Sequence, residues 1–262
     1  MYKDLFKGAA PYYSKYRPSY PEEVIEYLTS TFQLNGTGTL LDVGCGPGQM
    51  AIRLSEKFEN VIGVDIEKEM IEEARRLADP LPNITWHHCD VDSFLLTVSC
   101  PIKLVTLAKS FHWLDRKSFL EKIYPYIEED GGIGIIDDFN VAQPLEEWQM
   151  AFREVVTKWY GERRRAGNST YTHPSQSHKK VLQDSQFYTQ SFECSPVTYR
   201  WTPESIIGHH YSLSYGLKHF LKGSVEDFEA DVKQELARIN PDGEFFEHRS
   251  TRIEIGRKRR IS

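Results

Sequence analysis

The chain has 262 residues, 40% of them hydrophobic and 27% charged, with a formal net charge of −6. That length supports one full core with at most a small appended subdomain, and the composition is that of a soluble globular protein. The acidic balance argues against a broad nucleic-acid surface, no apolar run reaches the ~18 residues a membrane span needs, and the start Met1-Tyr2-Lys3-Asp4 is too polar for a signal peptide. In chain order, residues 21–32 carry Val24, Ile25, Leu28 and Phe32 on one face and Glu22 and Glu23 in the first turn, which predicts a helix. Strands are expected at Thr39–Val43, Asn60–Asp65 and Ile84–His88, with helices over 49–58 and 67–78. Residues 103–108 and 133–137 are short apolar runs of the kind a parallel sheet buries on both faces. A helix over 118–127 lies between them, ended by a turn at Asp130-Gly131-Gly132. Beyond Asn140 the pattern predicts a helix over 146–160, a long polar loop or mobile cap over 162–179, a strand over 187–199, helices over 203–221 and Val225–Ile239, and a strand over 245–255.

Strands alternating with helices predict an α/β fold, a doubly wound, Rossmann-like, mostly parallel seven-stranded sheet. One domain over 1–262 is expected. Its parts are an N-terminal helical arm (1–35), a cofactor-binding half (36–139), an inserted helical cap with the sixth strand (140–223), and a C-terminal helix with the last strand (224–262). The four cysteines, Cys45, Cys89, Cys100 and Cys194, show no CxxC spacing and no zinc pattern, so free thiols in a reducing cytoplasm are expected.

The run Leu41-Asp42-Val43-Gly44-Cys45-Gly46-Pro47-Gly48-Gln49 carries the chemistry. It ends an apolar strand and opens a helix. Glycines at 44, 46 and 48 let a ligand approach bare backbone. Asp65 ends the next strand, where an acid can take two ribose hydroxyls, and Asp90 follows the third. A dinucleotide fingerprint needs G-x-G-x-x-G; here the spacing is G-x-G-x-G, and Gln49 stands where the last glycine belongs. Asp42 would repel a pyrophosphate but can meet an amino-acid ammonium, or it only stabilises the turn. S-adenosylmethionine has that ammonium and no phosphate. The unit therefore reads as an S-adenosylmethionine site.

These motifs resemble those of the class I S-adenosylmethionine-dependent methyltransferases, within them the small-molecule group that includes trans-aconitate methyltransferase. Val64-Asp65-Ile66, with Met70 beyond it, is similar to the family's ribose motif. Cys89-Asp90-Val91 stands where the family places an acid for the adenine amino group. Ala108-Lys109-Ser110-Phe111-His112-Trp113 resembles its fourth motif, and Tyr13-Ser14-Lys15-Tyr16-Arg17-Pro18 its N-terminal signature. The resemblance implies cofactor contacts from Tyr13, Arg17, Asp42, Gly44, Gly46, Gly48, Asp65, Ile66, Met70, Asp90, Val91 and Lys109. Arg17 would face a carboxylate in a segment covering the cofactor, or belong to a packed arm. Ile66 and Met70 wall the adenine or pack the following helix; Val91 offers apolar contact or its N–H. Two departures stand out: Cys89-Asp90-Val91 replaces the usual Gly-Asp-Ala, and Lys109 stands where glutamine is common.

The expected activity is in-line methyl transfer to an oxygen (a carboxylate among them) or nitrogen of a small molecule, leaving S-adenosylhomocysteine. His112 is the one candidate base, or else a pocket wall beside Trp113. No metal is expected: in His87-His88-Cys89-Asp90, adjacent strand residues point to opposite faces. Arg163-Arg164-Arg165 is either solvated surface or an attraction for an acidic acceptor, and Arg257-Lys258-Arg259-Arg260 is read as surface. The aromatics Trp148, Trp159, Tyr160, Tyr171, Trp201, Tyr211 and Tyr215 form the acceptor pocket or ordinary core. Competing readings are a non-catalytic S-adenosylmethionine-binding protein, an NAD-dependent oxidoreductase and, more remotely, an RNA methyltransferase. No membrane partner is expected.

Overall fold

The computed structural model describes residues 4–138, 144–163, 165–166, 169–170 and 175–258. The strands are β1 (Thr39–Val43), β2 (Asn60–Asp65), β3 (Ile84–His88), β4 (Ile102–Ala108), β5 (Ile127–Asp137), β6 (Arg165–Ala166), β7 (Ser169–Thr170), β8 (Tyr188–Glu193), β9 (Val197–Trp201), β10 (Phe245–Arg249) and β11 (Arg252–Arg257). The helices are α1 (Ala10–Tyr16), α2 (Glu22–Phe32), α3 (Gln49–Leu54), α4 (Lys68–Leu77), α5 (Val91–Leu95), α6 (Arg116–Ile123), α7 (Glu147–Tyr160), α8 (His178–Gln183), α9 (Pro203–Tyr211) and α10 (Val225–Ile239). Among the described residues no helix is long and apolar enough to cross a membrane.

Two compact units divide the chain. A sheet unit comprises Ser19–Phe139, His173–Ser195 and Ser250–Ser262; a helical unit comprises Met1–Pro18, Asn140–Thr172 and Pro196–Arg249. The cap expected over 140–223 therefore gives up 173–195 to the sheet unit and gains 224–249.

In the sheet unit seven strands lie in the order β3-β2-β1-β4-β5-β11-β8. The first five pair in parallel, while β11 runs antiparallel to both β5 and β8. Neighbouring residues of each buried strand serve opposite faces. Leu40, Leu104, Ile136, Ile253 and Ile255 pack with Leu28 and Phe32 of α2, Met50 of α3 and Ile71 of α4. On the other face Leu41, Val105, Leu107 and Ile135 meet Phe94 of α5, Phe119 and Ile123 of α6 and Leu182 of α8. The near-continuous apolar strands are thus explained by helices on both faces.

Several expectations change. Asp130-Gly131-Gly132 is not a turn but part of β5, whose register against β4 shifts between Ile102 and Leu104. A Cβ on Gly132 would lie 2.3 Å from the Gly256 carbonyl oxygen and 2.6 Å from the Phe32 ring, so glycine there serves close packing. The strand expected over 187–199 is two strands of different sheets, β8 and β9, separated by Cys194-Ser195-Pro196; proline lacks the N–H a ladder needs. The strand expected over 245–255 divides likewise into β10 and β11. The helix expected over 49–58 ends at Leu54 and tightens into a 3-10 turn at Ser55–Lys57, and that over 203–221 ends at Tyr211, with a separate 3-10 turn at Lys218–Leu221. The stretch 162–179 contains the β6–β7 pair and the start of α8, where Ser177 caps the helix by accepting from the Lys180 N–H.

The helical unit has its own core: Trp148 and Val155 of α7, Ile206, Ile207 and Tyr211 of α9, and Phe228, Val232 and Leu236 of α10, with Tyr12 of α1 packed against it. Strands β9 and β10 form an antiparallel pair with Trp201 opposite Phe245.

Candidate active site

The turn after β1 is held by the protein's own side chains. Asp42 is buried, and its two carboxylate oxygens accept from the Thr106 hydroxyl at 2.7 Å and from the Ala51 N–H at 3.2 Å. Burial pushes its pKa up to about 7, outweighing those two hydrogen bonds. The sequence offered Asp42 a ligand ammonium or the turn; the geometry assigns it the turn. Gly44 and Gly48 have left-handed φ angles of +64° and +86°. A Cβ on Gly44 would sit 2.5 Å from Cβ of Ser110, and one on Gly48 would sit 2.5 Å from the Trp86 ring. These two glycines admit Ser110 and Trp86, rather than only a ligand as the sequence reading had it. Ser110 in turn donates from Oγ to the Val43 carbonyl at 2.5 Å.

Asp65 ends β2 beside the turn. Its Oδ2 accepts from the Gly46 N–H and its Oδ1 from the Glu67 N–H, each at 2.8 Å. Burial raises its pKa despite those bonds. Each carboxylate oxygen has a second lone pair, so the group retains acceptor capacity for a ligand hydroxyl. Asp90 is the N-cap of α5, accepting from the Ser93 N–H at 2.9 Å and from its hydroxyl at 2.7 Å, which hold its pKa below the ordinary value. Met70 is buried in α4 as a packing residue, whereas Ile66 and Val91 are only half-buried. The Ile66 carbonyl accepts from His88 Nε2 at 3.1 Å.

This donor set suits one class of nucleoside better than the other. The N-terminal end of α3, where a pyrophosphate would seek N–H groups, already has the Asp42 carboxylate on the Ala51 N–H. Asp65 and Asp90 add negative charge at the ends of β2 and β3. Hydroxyls and an ammonium fit such a set; phosphates do not.

His112 lies in a 3-10 turn, Phe111–Trp113, directly after β4. Donor atoms of His112, Asp137 and His178 all fall within 4.8 Å of one another. The two imidazoles are nearly parallel, 10° between planes with centroids 6.3 Å apart. His178 Nε2 is 3.5 Å from Asp137 Oδ2, and Arg116 is 3.3 Å from His178 Nδ1. A guanidinium only donates, so Nδ1 accepts and the proton sits on Nε2, facing Asp137. A divalent ion on Nε2 would have to displace that proton. Lys109, with the left-handed φ of +55°, places Nζ 2.5 Å from Asp138. Burial pushes Asp137 upward, but the hydrogen bond from His178 and the charges of Lys109 and His112 outweigh it even against Asp138, and its pKa is lowered.

The N-terminal residues belong to the helical unit. The Arg17 guanidinium lies 4.5 Å from the Tyr13 ring centre, donates from Nε to Ser212 Oγ at 2.9 Å and from NH2 to the Ser212 carbonyl at 3.2 Å. Of the two readings of Arg17, these bonds, with α1 packed beside α9, belong to the packed arm. Arg164, Tyr171, Arg259 and Arg260 lie outside the described residues.

The sequence reading missed Thr106, Ser110, Trp86, Asp137 and His178. Asp137 carried a usable signal, since it ends an apolar strand as Asp65 does. His178 carried none, lying in a polar stretch read as loop.

Residues 40–131 match a family described as a methyltransferase domain. An uncharacterized methyltransferase of Schizosaccharomyces pombe is 26% identical over 162 residues, 60% of each chain. Trans-aconitate 2-methyltransferase of Azoarcus sp. is 28% identical over 135 residues, 50% of each chain. The chain thus spans only part of the length of these curated relatives. A solved structure from Anaeromyxobacter dehalogenans, provisionally titled a type II methyltransferase, shares the fold with a TM-score of 0.60 at 18% identity, covering 92% of this chain and 96% of that one. The matched segment runs from the glycine turn through Asp65, Asp90 and His112 into β5, so this part of the chain is similar to a methyltransferase domain, and the fold is that of the solved methyltransferase structure.

Proposed function

We propose that the chain binds S-adenosylmethionine at the C-terminal ends of β1–β3 and methylates a small-molecule acceptor. The observation that carries this reading is the carboxylate-rich donor set, with Asp42 on the start of α3 and Asp65 at the end of β2. Asp65 holds the ribose hydroxyls, Gly46 and Ile66 border the nucleoside, and Val91 flanks the adenine. When bound, the cofactor supplies a methyl group already activated by its sulfonium. The protein's work is then alignment and exclusion of water, which can contribute about 7–11 kcal/mol.

His112 takes the proton of a hydroxyl or amine acceptor, and Asp137 stabilises the resulting imidazolium. A carboxylate acceptor, ionised at neutral pH, needs no base; the trans-aconitate-methylating relative supports that class. The test supplies methyl-labelled S-adenosylmethionine with a panel of carboxylic acids, phenols and amines. Label should pass to at least one acceptor. His112→Asn should slow phenol or amine methylation and leave carboxylate methylation unchanged. Donor binding without label transfer to any member would favour the non-catalytic binder.

A further inference from the structure

The helical unit holds a half-open cavity of about 550 Å³, lined by none of the residues assigned to the cofactor. This volume falls in the range of small-molecule sites. Its walls come from α7, α9, the β9–β10 pair and the segment just after α7. Rings dominate them: Trp148, Phe152, Tyr160, Trp201 and Tyr215. Three of these rings have their polar atoms engaged elsewhere. Trp148 Nε1 donates to the Phe246 carbonyl at 2.9 Å, Trp201 Nε1 to Glu247 at 3.1 Å, and the Tyr160 hydroxyl to the Gly216 carbonyl at 3.1 Å. The bonds fix the rings in place, so they can offer faces and edges to a flat ligand without further ordering.

Charge at this cavity opposes that of the whole protein. Four arginines and two glutamates line it, in a chain of net charge −6. Arg249 is paired with Glu247 at 2.9 Å, and Arg165 lies over the Phe220 ring at 5.1 Å. Arg153 and Arg163 are exposed and have no partner among the described residues. A planar guanidinium left unpaired beside aromatic walls is suited to a carboxylate or phosphate. A further group in the lining is His210, buried and neutral, whose Nε2 has no hydrogen-bond partner among the described residues. Its ring is set among Tyr160, Phe152 and Tyr215 at centroid distances of 4.8, 5.4 and 6.0 Å. Buried polar atoms are nearly always satisfied, so this one is an exception in the wall of the cavity.

We propose that this cavity is a binding site for a flat, ring-bearing anion, held by Arg153 and Arg163 against the aromatic walls. The sequence run Arg163-Arg164-Arg165 thereby gains a role through its first member. Binding there does not depend on the methyltransferase reading; that the anion is also the methyl acceptor would rest on it.

The test titrates the full chain with 2-naphthoate, 2-naphthyl phosphate and the neutral 2-naphthamide, following tryptophan fluorescence and calorimetric heat. At least one anion should bind about tenfold more tightly than the amide; which anion wins distinguishes carboxylate from phosphate. The Arg153→Ala/Arg163→Ala double variant should lose that preference while keeping its melting temperature and its affinity for the amide. Phe152→Ala should weaken anion and amide alike. Equal affinity for anion and amide, an unchanged preference in the double variant, or no saturable binding of any probe would overturn the proposal. S-adenosylhomocysteine is titrated into the same samples. Its failure to bind, with naphthoate still bound, would count against the donor site alone.

Discussion

The sheet unit buries a carboxylate, Asp42, whereas the helical unit buries an imidazole, His210. Each group is removed from water, and each responds by favouring its neutral form. Asp42 is raised to about 7 and His210 is lowered to about 3. The same physical cause gives opposite pH behaviour in the two halves of one chain. Asp42 is retained inside because its two oxygens tie β1 to β4 and to α3, across the glycine turn. His210 lies in a ring-lined wall, with Nε2 unmatched. A buried polar group with both oxygens partnered fixes a turn; His210 Nε2 has no such partner among the described residues.

The largest expected effect is on His210. Its folded-state pKa lies below its ordinary value, so its contribution to stability is present above about pH 6.5 and is lost as pH falls towards 3, on the order of 5 kcal/mol over the full window. Amide exchange in α9 and α10, corrected for the intrinsic rate, should lose protection on acidification, and His210→Phe should remove the dependence. Asp42 has the reverse sign. Its folded pKa is raised, so its stabilising contribution is full below about pH 4 and is lost as pH rises through 7, on the order of 4 kcal/mol. Strands β1 and β4 should gain protection over the range in which α9 and α10 lose it, and Asp42→Asn should flatten the trend. Parallel responses of the two units would break the comparison.

A smaller effect tests why the turn is rich in glycine. Gly44→Ala should cost about 1–3 kcal/mol from the left-handed backbone, plus the contact with Ser110. Adding Ser110→Gly should recover the contact part only. If Gly44→Ala is neutral in urea melts and instead weakens donor binding, the glycine serves the ligand rather than Ser110. The smallest effect is an expected absence of change. With the His178 proton on Nε2, a chelator should alter neither melting temperature nor S-adenosylhomocysteine affinity. A chelator-induced loss restored by zinc would make His112, Asp137 and His178 a metal site.

What the sequence made legible follows from how local each signal is. The bounds of β1, β2 and β3 could be read because each is a short run rich in β-branched residues closed by an acid or a turn, although only β1 is buried throughout and β3 is an edge strand. The β8–β9 division had a local mark in Pro196, which a continuous strand would not tolerate. The β10–β11 division had none, and only tertiary pairing sends its halves to different sheets. Asp65 was readable because the residues that define its place, the glycine turn and the end of β2, are motifs in themselves. For Asp42 the sequence left the turn and a ligand both open, since its partner Thr106 comes from another strand. Asp90 was read towards adenine, but Ser93, three residues on, gives it a capping role that spacing alone also allows. For Arg17 the sequence leaves a carboxylate and a packed arm open, and only the fold brings Ser212, far off in the chain, against its guanidinium.

In the proposed function Asp65, at the end of β2, holds S-adenosylmethionine by its ribose hydroxyls. Calorimetric titration of S-adenosylhomocysteine into wild-type protein and into Asp65→Ala, beside NAD⁺ as control, tests it most directly. The expected result is one saturable site in the wild type, weakened about a hundredfold in Asp65→Ala, and no heat with NAD⁺. Saturable NAD⁺ binding without S-adenosylhomocysteine binding, or unchanged affinity in a folded Asp65→Ala, would contradict it.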